Sequence, residues 1–264
     1  MAARFWSDFT TDELNSRDMR RAIAVLPVAA TEQHGPHLPL ATDTIIAEGY
    51  LAAVRDRAPA DLDVLLLPVQ AIGKSDEHDA FPGTLSLETG TALAAWTGIG
   101  SALHRAGCRK LVIVTSHGGN SALIDLVAAE LRARHGMVAV TTAWARFGYP
   151  EGLFPAGEIA HGIHAGGVET ALMLALRPDL VRTDRIADFP PRTLAMERDF
   201  THLRAGRPAA FAWKAGDLHP SGAIGDARLG NAEAGRAALA HGAQAFVELL
   251  RDIDTFELDE SGPA

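Results

Sequence analysis

Two carboxylates and two histidines lie close together in a short stretch of the chain that is otherwise mostly apolar. The fourteen residues ATEQHGPHLPLATD (30–43) contain Glu32, His34, His37 and Asp43. Glu32 and His34 are two positions apart, so in an extended segment their side chains point the same way. Carboxylate and imidazole groups together form the donor set that suits zinc, manganese or ferrous iron. The stretch is therefore either a hydrogen-bonded turn or one wall of a metal site.

Two further segments carry histidines next to glycines. The segment TSHGGNS (115–121) places His117 before two glycines, which allow a sharp backbone turn and a close approach to a ligand. The segment HGIHAGGVETALMLAL (161–176) places His161 and His164 before Glu169. A carboxylate in the first turn of a helix is stabilised by the helix dipole, which explains Glu169 alone but not the two histidines. Similarly, His117 alone is compatible with an ordinary strand-to-helix turn.

A fourth segment, GKSDEHDAFPGT (73–84), contains four consecutive titratable residues. A charge run in a loop is usually solvated, and we interpret Asp76 and Asp79 in this way. Glu77 and His78 adjoin the apolar FPGT and are candidates for an active-site wall that orients a substrate.

Alternating strands and helices are predicted to position these segments. Apolar runs at 21–30, 63–69, 110–116 and 137–144 predict buried strands. Helices are predicted from residue 43 and over 87–106, 120–134, 166–176 and 231–251, and the segment 185–225 has no clear periodicity. This order indicates one α/β domain over residues 1–264 with a mainly parallel central sheet. Ligands bind beyond the carboxyl ends of such strands, so the loops after residues 28, 69 and 116 should converge.

Composition and charge exclude several functional classes. The formal net charge is −9 and the basic residues are scattered, which argues against nucleic-acid binding. No apolar run approaches the roughly 18 residues of a membrane span, and the N-terminal residues lack a signal-peptide pattern. We therefore expect a cytoplasmic protein.

There is no GxSxG motif for a covalent nucleophile. If Asp43 bridged two cations about 3.5–4 Å apart, the site would suit hydrolysis of an amide-like bond.

Five segments in order resemble the creatininase family of metal-dependent amidohydrolases. They are LPVAATEQHGPHLPLATD, GKSDEHDAFPGTLSL, SHGGNS, HAGGVETALML and HPSGAIGDARLGNAEAG, and the resemblance extends from residue 22 to about residue 250. It implies a three-layer α/β/α sandwich, two divalent cations (Zn, Mn or Fe) per chain, and a homohexamer.

The resemblance also implies roles for individual residues. Glu32, Asp43 and His117 match the ligands of one cation, and His34 and Asp43 match ligands of the second. His164 matches an active-site histidine that acts as a proton shuttle, and Glu169 matches a carboxylate near the metals. The predicted substrate pocket contains Trp144, Ser75, Gly118 and Gly119. The roles of His37 and His161 stay open.

Two departures from the pattern of true creatininases narrow the function. Those enzymes carry a glutamate where this chain has Gly119, so we predict that Glu169 replaces it as a ligand of the second cation. They also carry a tryptophan where this chain has Ala160, which disfavours creatinine as the substrate.

We therefore predict hydrolysis of a C–N bond in a small amide, cyclic amide or formamide by a metal-bridged hydroxide. The alternatives are cleavage of a peptide terminus, ring-opening of a cyclic carbohydrate derivative, or a non-catalytic metal-binding module. The full set of candidate residues counts against the last of these.

Overall fold

A five-stranded parallel sheet organises the chain in this computed structural model, which describes residues 3–258. Its strands are β1 (Arg4–Phe5), β2 (Ile23–Val28), β3 (Val64–Leu66), β4 (Lys110–Thr115) and β5 (Val138–Ala143), in the spatial order β1-β3-β2-β4-β5. The central pair β2 and β4 is in register from Ile23 opposite Lys110 to Val28 opposite Thr115. Every residue of β2 is buried, as expected for a parallel strand that is covered on both faces.

Nine helices lie within the described residues. They are α1 (Thr11–Asn15), α2 (Thr42–Arg57), α3 (Thr89–Arg105), α4 (Ser121–His135), α5 (Ala156–His161), α6 (Gly167–Leu176), α7 (Arg192–Asp199), α8 (Ala215–Leu218) and α9 (Ala232–Thr255). Four two-residue strands complete the fold: β6 (Asp188–Phe189), β7 (Leu203–Arg204), β8 (Ala209–Ala210) and β9 (Gly225–Asp226).

The helices cover the two faces of the sheet in separate layers. Side chains alternate along a strand, so Ile23 and Val25 point to one face of β2 and Leu26 to the other. The first face packs on α2, α6 and α9, where Phe246 is fully buried. The second face packs on α3 and α4, where Trp96 fills the core. The predicted three-layer α/β/α sandwich with a parallel sheet is confirmed.

Most predicted elements are present, and the differences lie at the edges. The predicted strand over 63–69 is shorter than expected, at Val64–Leu66, and the edge strand β1 was not predicted. Thr10 and Glu13 form a capping box at the start of α1. The segment 185–225, which lacks periodicity, folds into short helices and two-residue strands. Within residues 3–258 no helix is long and apolar enough to cross a membrane.

Candidate metal centre

Six of the predicted site residues meet beyond the carboxyl ends of β2 and β4. Their side chains form three overlapping groups whose potential ligand atoms lie within 4.8 Å of one another. The groups are Glu32 with Asp43 and His117, His34 with Asp43 and Glu169, and Glu32 with His34 and His164. The predicted convergence of the loops after β2 and β4 is therefore present in the structure.

Each residue is positioned by the element that adjoins it. Glu32 and His34 follow β2, and His117 lies two residues beyond Thr115, the last residue of β4. Asp43 and Glu169 lie in the first turns of α2 and α6. All are buried except Glu169, whose side chain is 22% exposed. The centre is thus enclosed by backbone elements and opens on the side of Glu169.

The three histidines of the centre share one arrangement. His34 Nδ1 lies 3.1 Å from the backbone oxygen of Glu32, His117 Nε2 lies 3.0 Å from that of Lys74, and His164 Nε2 lies 2.7 Å from that of Gln33. A carbonyl oxygen only accepts, so in each ring this nitrogen is the donor.

The second nitrogen of each ring then faces the carboxylates. His34 Nε2 lies 3.5 Å from Asp43 Oδ1, and His117 Nδ1 lies 3.1 Å from Glu32 Oε1. His164 Nδ1 lies 3.6 Å from the same Glu32 oxygen. Histidines that bind metals usually donate their other N–H to a carbonyl or carboxylate. The arrangement therefore fits three imidazole ligands.

With the carbonyl-facing nitrogen of each ring as its donor, the contact of His117 Nδ1 with Glu32 Oε1 joins two acceptors, and several buried polar atoms of the centre have no hydrogen-bond partner among residues 3–258. They are Glu32 Oε1, His34 Nε2 and Asp43 Oδ2. An unsatisfied buried polar atom costs about 1–3 kcal/mol, and more when the group is charged. One atom from each of three neighbouring residues is left in this state, and all three are potential metal ligands. A divalent cation would satisfy them together, so the residues fit the metal that the sequence predicts.

The pKa shifts in the centre also indicate that it favours a bound positive charge. Burial opposes protonation of His34, yet the carboxylates of Asp43, Glu169 and Glu32 together outweigh it and raise the pKa of the ring to about 9. Burial raises the pKa of Asp43, and the nearby Glu32 carboxylate raises it further. Burial likewise raises the pKa of Glu169 to about 7, against the opposing charge of His34. Three crowded carboxylates thus favour a bound cation.

His78 and His164 differ from the other two rings because they are held neutral. Burial lowers the pKa of His78 to about 4, although Glu32 acts in the opposite direction. Burial, with the nearby rings of His34 and His78, also lowers the pKa of His164. A neutral ring keeps one lone pair, so His164 can bind a cation or accept a proton through Nδ1.

The predicted residues of the 73–84 loop contact the candidate ligands. Ser75 donates from Oγ to Glu32 Oε2 at 2.5 Å and is fully buried, so it supports a carboxylate. His78 Nε2 lies 3.4 Å from Glu32 Oε1, and Glu77 Oε1 lies 3.3 Å from His117 Nε2. Glu77 and His78 therefore contact potential ligands directly.

A cavity of about 130 Å³ opens beside His117 and Glu169. Of the four residues predicted for a substrate pocket, Gly118 and Trp144 line this cavity, whereas Ser75 and Gly119 do not. The Trp144 ring is stacked on Tyr50 at 4.4 Å between ring centres. A cavity of this size accommodates a group about as large as a benzene ring.

The two histidines whose roles stayed open lie outside the three ligand groups. His37 Nε2 is 2.9 Å from Thr170 Oγ1, and its ring stacks on Phe189. His161 Nδ1 is 3.0 Å from Thr193 Oγ1. His37 therefore packs against α6, and His161 bridges α5 and α7.

Two residues that support the centre were not found from the sequence. Gln33 Nε2 lies 2.6 Å from His78 Nδ1, so it orients that ring. Glu158 accepts hydrogen bonds from the backbone N–H groups of Gly167 and Asp226, at 2.6 and 2.9 Å. It fixes the start of α6, which carries Glu169. The sequence signal for Glu158 is the group of glycines at 162, 166, 167 and 225, because a side chain at any of them would approach its carboxylate.

A Gly119→Ala variant is expected to bind metal 10–100-fold more weakly, whereas Gly118→Ala should bind it normally. A Cβ atom at Gly119 would lie 2.2 Å from Glu77 Oε1 and 2.4 Å from His117 Nε2, so His117 must move. A Cβ atom at Gly118 meets nothing within 4 Å. Metal titration of both variants measures the difference, and equal affinities would contradict the geometry.

Comparison with known proteins places this fold and site in a family. A family model described as Creatininase: Creatinine amidohydrolase matches residues 7–250. The chain belongs to the creatininase family. It is therefore a hydrolase, and the family resemblance read from the sequence is confirmed.

Relatives of known function show the range of the family. The chain is 33% identical over 202 residues to the mycofactocin precursor peptide peptidase of Mycolicibacterium smegmatis, covering 72% of this chain and 71% of the relative. It is 37% identical over 187 residues to the creatinine amidohydrolase of Pseudomonas putida, covering 65% and 70%. A solved mutant creatininase of Zn-Zn type aligns with a TM-score of 0.74 and 30% identity, covering 94% of this chain and 97% of that one. Together with the ligand groups, that structure supports a divalent metal cofactor.

Proposed function

We propose that this chain holds two divalent cations, zinc, manganese or iron, and hydrolyses a C–N bond of a small amide, cyclic amide or formamide. The observation that carries the proposal is that three buried potential ligand atoms, on Glu32, His34 and Asp43, have no hydrogen-bond partner in the described residues 3–258. Histidine nitrogens face two of these residues: His34 Nε2 faces Asp43, and the Nδ1 atoms of His117 and His164 face Glu32.

The ligands divide into two sets that share Asp43. Glu32, Asp43 and His117 would hold one cation, and His34, Asp43 and Glu169 the other. Bound cations of this kind activate water and polarise a carbonyl group. The Glu169 oxygen that lies 3.8 Å from His34 Nε2 also accepts the N–H of Ala165 at 2.6 Å, which fixes the carboxylate. Ala165 has φ 52°, a conformation that few residues other than glycine adopt, and this turns its N–H towards Glu169.

His164 moves the proton. Its Nε2–H is held by the carbonyl of Gln33, and its lowered pKa leaves Nδ1 free of a proton. Nδ1 accepts a proton from the attacking water and returns it to the leaving nitrogen. Glu77 and His78 hold the ligands His117 and Glu32 in place, and Trp144 closes the pocket beside them.

Cleavage of a peptide terminus is the second candidate. The similarity to a peptide peptidase favours it, and Ala160, where true creatininases carry a tryptophan, disfavours creatinine. Formamides, hydantoins, creatinine, lactones and short peptides, assayed with manganese or zinc, separate the two. Turnover of formamides or cyclic amides supports the first candidate, and turnover restricted to peptides supports the second. Rapid turnover of creatinine would contradict the argument from Ala160.

Elemental analysis of the purified protein tests the metal content directly. We expect close to two transition-metal equivalents per chain, with hydrolysis lost on chelation and restored by zinc or manganese. A protein that hydrolyses these substrates at full rate without metal would overturn the proposal.

A Glu169→Gln variant is expected to retain about one metal equivalent instead of two. Glu169 belongs to the ligand group with His34 and not to the group with His117, so only one set loses a charged donor. Glu233→Gln is the matched control, because Glu233 also lies in the first turn of a helix but is exposed. Full metal retention in Glu169→Gln would show that this carboxylate is not a ligand.

A further inference from the structure

A second cavity, of about 370 Å³, lies next to the candidate metal centre and has no role in the proposed reaction so far. Its volume is within the range of about 300–1,000 Å³ found for small-molecule sites. Ile163 lines it, and the next residue along the chain is His164. Consecutive Cα atoms are about 3.8 Å apart, so the cavity begins one residue from the centre.

The wall of this cavity carries two arginines in a chain whose formal net charge is −9. Arg204 is held in place by its Nη1 atom, which donates to the backbone oxygens of Phe200 and Leu203 at 2.7 and 2.9 Å. Its Nη2 and Nε atoms make no hydrogen bond that the structure shows within residues 3–258. One edge of a fixed guanidinium is therefore available to a ligand.

The other charged residues of the wall leave the arginines unneutralised. Arg207 is exposed, and its side chain makes no hydrogen bond or ion pair in the described part of the chain. Glu197 is the acidic residue of the lining, and its carboxylate lies 3.0 Å from His161 Nε2. The cavity therefore presents excess positive charge.

The opposite part of the wall is apolar and fixed. The Trp213 indole donates its N–H to the backbone oxygen of Ala205 at 2.8 Å, which sets the ring orientation. Ile163 is 41% exposed beside it. The neighbouring Lys214 donates to Asp79 Oδ2 and to the backbone oxygen of Asp76, which ties this wall to the loop that carries His78. One part of the cavity wall thus precedes His164 in the chain, and another is joined through Lys214 to the loop of His78.

We propose that this cavity binds a carboxylate-bearing arm of the substrate, with an apolar or aromatic stem against Trp213 and Ile163. Arg204 offers a two-pronged contact to a carboxylate, and Arg207 adds a second charge. The proposal rests on the proposed function, since it assigns the arm to a substrate whose C–N bond is cleaved at the metal centre. The substrate is then an acidic amide that is larger than the 130 Å³ pocket alone could hold.

Calorimetric titration of the full-length, metal-loaded protein with hippurate and with hippuramide tests the proposal. The two probes share an aromatic ring and an amide and differ in the carboxylate. We expect hippurate to bind at least about tenfold more tightly than hippuramide. Arg207→Gln and Arg204→Lys should each remove most of this difference. Arg198→Gln is the matched control, because Arg198 is exposed on α7 and does not line the cavity.

Equal affinities for the two probes, or no detectable binding of either, would overturn the proposal. The same holds if Arg207→Gln binds hippurate as tightly as Arg198→Gln, because the carboxylate would then be binding elsewhere, for example at the metals. The exposed Arg207 side chain makes no hydrogen bond or ion pair among residues 3–258, so this variant keeps the test valid if Arg204→Lys is unstable. Metal content and formamide hydrolysis of the same preparations test the proposed function separately.

Discussion

An Asp43→Asn variant is expected to lose both metal equivalents and more than about 100-fold in hydrolysis rate. Asp43 is the residue shared by the ligand groups that contain His117 and Glu169, so its loss affects both cations. Mutation of a residue that only hydrogen-bonds to a metal ligand typically costs 10–100-fold in metal affinity or activity. Loss of a ligand shared by two cations should cost more than that. Asparagine is nearly the same size as aspartate, so the effect would come from charge and donor strength and not from packing.

The matched control for this variant is Asp56→Asn. Asp56 lies on the same helix, α2, but its side chain is 63% exposed and pairs with the neighbouring Arg55. Elemental analysis and steady-state rates of both variants, at a fixed manganese or zinc concentration, provide the measurement. If Asp43→Asn kept two equivalents of metal, Asp43 would not be the shared ligand and the division into two sets would be wrong.

The convergence of the candidate metal ligands could be predicted from the sequence because local rules determine their placement. Glu32 and His117 follow strands that are recognisable as apolar runs, and parallel strands end at one edge of a sheet. Asp43 begins a helix of clear periodicity, which places it in the first turn. No knowledge of distant contacts was needed to expect these residues to meet.

The contacts that support the ligands could not be predicted in the same way. Ser75 reaches Glu32 across 43 positions of sequence, and Gln33 reaches the backbone oxygen of Gly222 across 189. Such contacts depend on how loops pack after the sheet has formed, and hydrophobic periodicity carries no information about them. The secondary structure of the segment 185–225 could not be predicted for a related reason. Its short elements are held by contacts such as the hydrogen bonds of Arg204 and not by an apolar stripe.

Glu158 is the clearest example of a residue that acts at a distance from the ligands. Its carboxylate is 6% exposed and accepts backbone N–H groups from Gly167 in α6 and Asp226 in β9. Between these elements, His164 and Ile224 exchange backbone hydrogen bonds of 3.3 and 2.7 Å. Glu158 therefore holds together the two chain segments whose backbone hydrogen bonds orient His164.

A Glu158→Ala variant is expected to lower the free energy of unfolding by about 4 kcal/mol. The N–H groups of the buried Gly167 and the half-buried Asp226 would lose their acceptor, at about 1–3 kcal/mol each. Urea unfolding monitored by circular dichroism measures the change, with Glu151→Ala as the control at an exposed glutamate.

The glutamine variant at the same position separates stability from orientation of the site. In Glu158→Gln the amide oxygen accepts one N–H, whereas the amide nitrogen faces the second donor and cannot accept it. We therefore expect a smaller loss of stability than in Glu158→Ala, with hydrolysis still reduced because the start of α6 shifts under Glu169. Because the free energy of unfolding and the rate are measured on one preparation, a stable variant with reduced hydrolysis would assign Glu158 to positioning. Unchanged stability and unchanged rate in both variants would show that the carboxylate holds neither α6 nor His164.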